Sequence, residues 1–169
     1  MPRSRVVVVE GDDIDAVVEE GLSYFPEPAQ RRVVIKPNLI VNRPGPTTPV
    51  DLVEALVKHY RPAHEVIVAE GSGWCETWRA FEDLGYASLT ERYDIKLVDL
   101  NGDDYELVED RGALVVKRLE LPLTLKGAYL VSAALLKTHS LTSVSLSLKN
   151  MLGAVPGEKV PMGKKRRFH

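Results

Sequence analysis

A single cysteine, Cys75, stands in a chain of 169 residues. That excludes an internal disulfide, and it excludes an iron–sulfur cluster or structural zinc site built from several cysteines of this chain. Long apolar runs are missing as well. The longest uncharged one, Tyr129 to Leu136, is less than half of the roughly 20 residues a membrane-spanning helix needs. The four valines after Arg5 are too few for the apolar region of a secretory signal, so the expected location is cytoplasmic with no membrane partner. Neither sign of charge dominates: 22 Lys and Arg stand against 24 Asp and Glu, a net charge of −2. Such a balance supplies no general attraction to nucleic acid. What is present, 44% hydrophobic and 27% charged residues, is ordinary globular composition, and the length suits one domain with a real core.

Short β-branched runs alternate with helical segments, the pattern of an α/β fold with a mostly parallel open sheet and crossover helices. Arg5 to Glu10 reads as a first strand buried on both faces. Asp12 is placed to cap a helix whose apolar stripe is Ile14, Val17, Val18 and Leu22. A strand over Arg32 to Lys36 follows, stopped by Pro37. Thr48, Pro49 and Asp51 mark a helix start, with Thr48 as the side-chain cap, and the helix runs to about Tyr60. Glu65 to Ala69 and Lys96 to Leu100 read as strands. Between them lie helices over Thr77 to Leu84, ended by Gly85, and over Ser88 to Tyr93.

From Tyr105 to Leu121 two strand-like runs around Asp110-Arg111-Gly112 predict an antiparallel hairpin insertion. Gly127 to Leu136 predicts another buried strand. Thr142 to Val155 fits both periods, and the recurrence of Val144, Leu148, Met151 and Val155 favours helix. Residues 1–160 form a single α/β domain on this reading, and 161–169 a basic flexible tail.

Ligands of open α/β sheets bind beyond the carboxyl ends of the strands, where loops and helix N-termini gather. Three such places carry chemistry here. Lys36-Pro37-Asn38 puts an ammonium and an amide at a strand end, with Lys36 and Asn38 as ligand-binding candidates. Glu70-Gly71-Ser72-Gly73 puts a carboxylate before a flexible loop whose amides, at Gly71, Ser72 and Gly73, can meet an anion. It is neither the dinucleotide fingerprint, since Glu76 stands where the third glycine belongs, nor a P-loop. Lys137-Thr138-His139 supplies an anion-holding lysine and a proton-transferring histidine, with Thr138 as a further ligand contact. Lys149 and Asn150 extend the set. His139, Lys137 and Glu70 are the catalytic candidates, Glu70 orienting the histidine. Asp99 is a weaker participant. Three ammoniums, Lys36, Lys137 and Lys149, converging on one crevice call for a small anionic ligand, a phosphate or carboxylate. No zinc-type ligand spacing is present, so no metal is expected.

The ordered set Lys36-Pro37-Asn38-Leu39, Thr48-Pro49, Glu70-Gly71-Ser72-Gly73, Gly85-Tyr86, Val98-Asp99-Leu100-Asn101, Lys137-Thr138-His139 and Leu148-Lys149-Asn150-Met151-Leu152-Gly153 resembles the family called domain of unknown function 362, over about positions 33 to 169. Many members carry a ferredoxin-like segment with clustered cysteines. This chain has none, so no iron–sulfur cluster is expected in it and its cofactor is unknown. Members also usually continue beyond the Leu-Lys-Asn-x-x-Gly segment. On that resemblance the chain is a short or truncated form, and a homo-oligomer could cover an exposed sheet edge. The leading functional expectation is an anion-binding protein, an enzyme or the remnant of one. The alternative is a non-catalytic accessory in an iron–sulfur redox system with a ferredoxin-like partner. The run Lys164-Lys165-Arg166-Arg167 offers a weaker nucleic-acid contact, and His169 falls where family members also tend to carry a histidine.

Overall fold

A computed structural model describes residues 4–140 and 142–156. In chain order it contains α1 (Ile14–Ser23), β1 (Arg32–Pro37), α2 (Val50–Tyr60), β2 (Glu65–Glu70), α3 (Thr77–Asp83), α4 (Ala87–Arg92) and β3 (Lys96–Asp99). The ribbon strands β4 (Tyr105–Glu109) and β5 (Arg118–Pro122) follow, then β6 (Tyr129–Ala133), β7 (Lys137–His139), β8 (Ser143–Ser145) and α5 (Ser147–Asn150). The main sheet has the order β3-β2-β1-β6 and all three of its pairings are parallel. The fold class is therefore α/β with a parallel sheet, and β4 and β5 form the expected antiparallel ribbon.

The strands bury alternate residues on opposite faces. Val33 and Ile35 of β1 and Val66 and Val68 of β2 pack beneath Val53 and Val57 of α2, Phe81 of α3 and Leu89 of α4. Val34, Ile67 and Ala69 face the other way, into a smaller cluster closed by Leu100 with Leu125 and Leu130 against it. The central strands β1 and β2 are thus covered on both sides, which is why they read as continuous apolar runs. Gly85 closes the turn after α3 with a φ of +81°, a backbone conformation that a side chain would strain.

Four expectations are corrected. The valine run after Arg5 is not a strand. It runs back along α1, with Val9 near Gly21 and Arg5 Nη1 donating to the Tyr24 carbonyl, and leaves Val6 and Val8 83% and 90% exposed. β-propensity describes fitness for a pleated, half-buried surface, and both edges of β1 are already taken by β2 and β6. Asp13, not Asp12, caps α1, its carboxylate accepting from the Asp15 and Ala16 amides. Thr48 does not cap α2. Its hydroxyl is drawn inward to accept from the Asn38 amide at 2.9 Å and donate to the Ala133 carbonyl at 2.7 Å, tying the loop after β1 to the end of β6.

The fourth concerns the chain beyond β6. The expected strand over 127–136 shortens to Tyr129–Ala133 and is mostly half-buried, because β6 lies at the edge of the sheet with β1 as its one neighbour. The segment 142–155 is not one helix. Ser143–Ser145 pairs antiparallel with Lys137–His139, Ser143 having a φ of 61°, and the helical period begins only at Ser147, passing into a 3-10 turn over Met151–Ala154. Each of the two sequence periods holds for its own half. The basic run 164–167 and His169 lie outside the described residues.

Replacing both exposed valines, as Val6→Ser with Val8→Ser, is expected to change unfolding free energy by less than about 0.5 kcal/mol. Ile35→Ala, which empties a fully buried position of β1, should cost about 2–5 kcal/mol. Urea unfolding of the two variants distinguishes them; a large loss in the valine pair would mean that the run is a core strand after all.

Candidate functional site

The carboxyl ends of β1 and β2 lie side by side, since Ile35 pairs with Val68 in parallel register. This brings Lys36, one residue past Ile35, and Glu70, two past Val68, to the same edge. Lys36 has no solvent exposure and Glu70 is 2% exposed. Their Nζ–Oε1 distance is 2.8 Å. An ammonium carries three donors, and Lys36 directs them to Glu70 Oε1, to Asn150 Oδ1 at 3.1 Å and to the Pro37 carbonyl at 3.1 Å. Glu70 in turn accepts the Gly71 amide at Oε1 (2.7 Å) and the Leu39 amide at Oε2 (2.9 Å). Burial pulls the Lys36 ammonium below the ordinary lysine value, and the charge and hydrogen bond of Glu70 oppose that pull.

Asn150 extends the pair into the rest of the fold. Its Nδ2 donates to the Lys36 carbonyl (3.1 Å) and to Ser132 Oγ (3.0 Å), so α5 is sewn to both β1 and β6. Three residues on, Gly153 lies directly against the pair. A Cβ there would stand 2.0 Å from Glu70 Oε1 and 2.6 Å from Lys36 Nζ, closer than non-bonded atoms approach. The Asn-x-x-Gly spacing thus delivers a bridging amide and a position without a side chain to one buried charge pair.

Above this floor lies a cavity of 420 Å³. Lys36, Asn38, Glu70, Gly71, Gly73, Lys137, His139, Lys149 and Asn150 all line it, so nine of the eleven candidate residues meet in one place. Thr138 and Ser72 do not line it. Thr138 is the middle residue of β7 and alternation turns it outward. Ser72 is buried with its hydroxyl donating to the Leu39 carbonyl at 2.6 Å. Asp99 lies apart, accepting the Asn101 amide at 2.9 Å.

The candidates divide by what they already bind. Lys36 and Glu70 neutralise each other. Lys137 and Asn38 converge on the Pro46 carbonyl, at 2.5 Å and 3.3 Å. Lys149 is half-buried, its carbonyl accepts the Met151 amide, and its ammonium makes no hydrogen bond or ion pair among the described residues. His139 Nδ1 accepts the Thr142 amide at 3.3 Å. Partial burial and then the charge of Lys149 lower the Lys137 ammonium, and burial alone lowers Lys149. His139 is held below its ordinary 6.5 by partial burial, then by Lys149 and Lys137, and is neutral at pH 7. The cavity is therefore cationic through Lys137 and Lys149, and Lys137 is lowered further by the charge of Lys149. Among the described residues no group of three His, Cys, Asp or Glu is placed to hold a metal ion, and no helix is long and apolar enough to cross a membrane.

The model of a family described as domain of unknown function, DUF362, matches residues 33–169. The chain belongs to this family. A curated relative of the DUF362 chain is the thylakoid-associated protein sll1697 of Synechocystis sp., 27% identical over 143 residues, which is 82% of this chain and 43% of the relative. The chain thus spans less than half the length of that relative. No solved structure matches it. Trp74 and Gly153 are among the contributors to the DUF362 site that the sequence did not single out, as are the apolar residues Ile40, Leu135, Leu146 and Leu152. The glycine had a signal, since it completes the Leu-Lys-Asn-x-x-Gly segment; Trp74 had none beyond its nearness to Gly73.

Gly153→Ala should displace the 3-10 turn or break the Lys36–Glu70 contact, with a loss of about 2 kcal/mol or more read by chemical unfolding. Glu70→Gln, which leaves a buried cation without its counter-charge, should cost about 3–5 kcal/mol. Adding Lys36→Met to it should recover part of that loss, giving a coupling energy of about 1–3 kcal/mol in a double-mutant cycle. Strict additivity would mean that the two charges do not stabilise one another.

Proposed function

We propose that the protein binds a small anion, a phosphate or carboxylate, in the cavity at the carboxyl edge of its sheet, with Lys137 and Lys149 as the cations that hold it. The observation that carries this reading is the pairing of charges. Of the ionisable groups lining the cavity among the described residues, the one carboxylate, Glu70, is spent on Lys36 and two backbone amides, and two ammoniums remain. Partly desolvated cations that repel one another are stabilised by a shared anion. Asn38 adds a polar side chain, and the Gly71 and Gly73 loop lets backbone approach closely.

His139 is the proton-handling group of this reading. A neutral ring that accepts the Thr142 amide at Nδ1 carries its proton on Nε2. Whether a reaction follows binding depends on the ligand. Glu70, buried in its own pair, holds the floor of the site, so proton transfer falls to His139.

Calorimetric titration with inorganic phosphate at low ionic strength tests the reading. Binding is expected, weakened about tenfold by Lys149→Ala and similarly by Lys137→Ala, as befits loss of one charged hydrogen bond each. Affinity that is absent, or unchanged in both variants, would overturn it. The pH dependence has a defined sign. His139 has a lowered pKa, so it gains charge only below pH 6.5, and a third cation then joins the cavity. Sulfate keeps its double charge through this window, and its affinity should rise as pH falls below 6.5; His139→Ala should flatten the rise.

A further inference from the structure

An inorganic anion leaves most of this cavity unfilled. The cavity's 420 Å³ equals about 14 water volumes of about 30 Å³ each, whereas a phosphate has five heavy atoms. Much of the lining is apolar: Ile40, Trp74, Leu135, Leu146 and Leu152 share the space with the lysines. Two of these side chains are left largely in water, Trp74 at 57% and Leu146 at 48% exposure. Trp74 is also unlike the protein's other tryptophan. Trp78 packs edge-on against Phe81 at 5.7 Å, while Trp74 makes no ring contact among the described residues. Its backbone is nonetheless held, its amide donating to the Ile40 carbonyl at 3.2 Å. A tethered indole left open beside two ammoniums has the features of a platform for a ligand's apolar part.

We infer that the cavity takes an amphipathic organic anion, whose phosphate or carboxylate head meets Lys137 and Lys149 and whose apolar body, of about the size of one ring, lies on Trp74, Leu135 and Leu146. This rests on the anion-binding reading above and narrows it to a class of ligand. The head alone recovers the electrostatic part of binding; the body recovers the apolar surface that Trp74 and Leu146 now leave in water. An inorganic ion or a bare sugar phosphate would leave that surface wet. A neutral hydrocarbon would leave the ammoniums without a counter-charge.

Calorimetry on the full chain with phenyl phosphate against inorganic phosphate, benzoate against acetate, and phenol tests the inference. The expected result is that the aryl member of at least one pair binds tenfold or more tightly than its small partner, and that Trp74→Ala removes most of that gap. The pair with the tighter aryl member then identifies the head as phosphate or carboxylate. Equal affinities within both pairs would overturn the apolar-body assignment and leave the anion reading standing. Phenol binding as tightly as phenyl phosphate would overturn the anion reading, and no binding by any probe would overturn both.

Discussion

A lysine ammonium with no access to water must be neutralised where it stands, and the geometry around Lys36 follows from that requirement. Glu70 supplies the charge at 2.8 Å, Asn150 and the Pro37 carbonyl take the other two donors, and the Leu39 and Gly71 amides satisfy the carboxylate. Each partner comes from a different stretch of chain: the end of β1, the end of β2, the loops behind both, and α5. Buried ion pairs are poor sources of net stability, because desolvation cancels much of the attraction. What this one supplies is position. It holds the segment from β7 to the 3-10 turn over the carboxyl edge of the sheet, and the cavity is the space that results.

The same constraint divides the cationic residues into two kinds. Lys36 is paired inside the protein, with Glu70 at 2.8 Å. Lys137 and Lys149 stand at the cavity wall, where partial burial lowers both, the charge of Lys149 lowers Lys137 further, and Glu70 opposes the shift at Lys137 alone. A site with a neutral, hydrogen-bonded floor and cationic walls differs from one in which three lysines share a ligand. The repulsion it must offset is smaller, and the ligand need carry less charge. Under the anion-binding proposal, the apolar remainder of the wall, above all Trp74, sets what else the ligand must present.

Much of this architecture was legible in the residues, for stated physical reasons. The β1 and β2 runs are apolar on both faces because both faces are covered, and the Asp110-Arg111-Gly112 turn between alternating runs can close only a ribbon. The rule that ligands gather beyond strand ends brought Lys36, Glu70 and Lys137 together before any contact was known. Two kinds of information were not local. A valine run records compatibility with a sheet but not whether an edge is available, so 5–10 read as a strand. A threonine before a proline records capping capacity but not competing partners, so Thr48 read as a cap while its hydroxyl serves Asn38 and Ala133. That Lys36 and Glu70 spend themselves on each other depends on register between strands about thirty residues apart. No single segment contains that register.

The dependence of the cavity on the buried pair is open to one direct measurement, amide hydrogen exchange in the wild type and in Asn150→Ala. Asn150 is where α5 meets both Lys36 and Ser132. With its side chain removed, the amides of 146–155 should exchange at least about tenfold faster while those of β1 and β2 keep their protection, the pattern of a local opening. Unchanged exchange over 146–155 would contradict the account, as would loss of protection across the whole sheet at once.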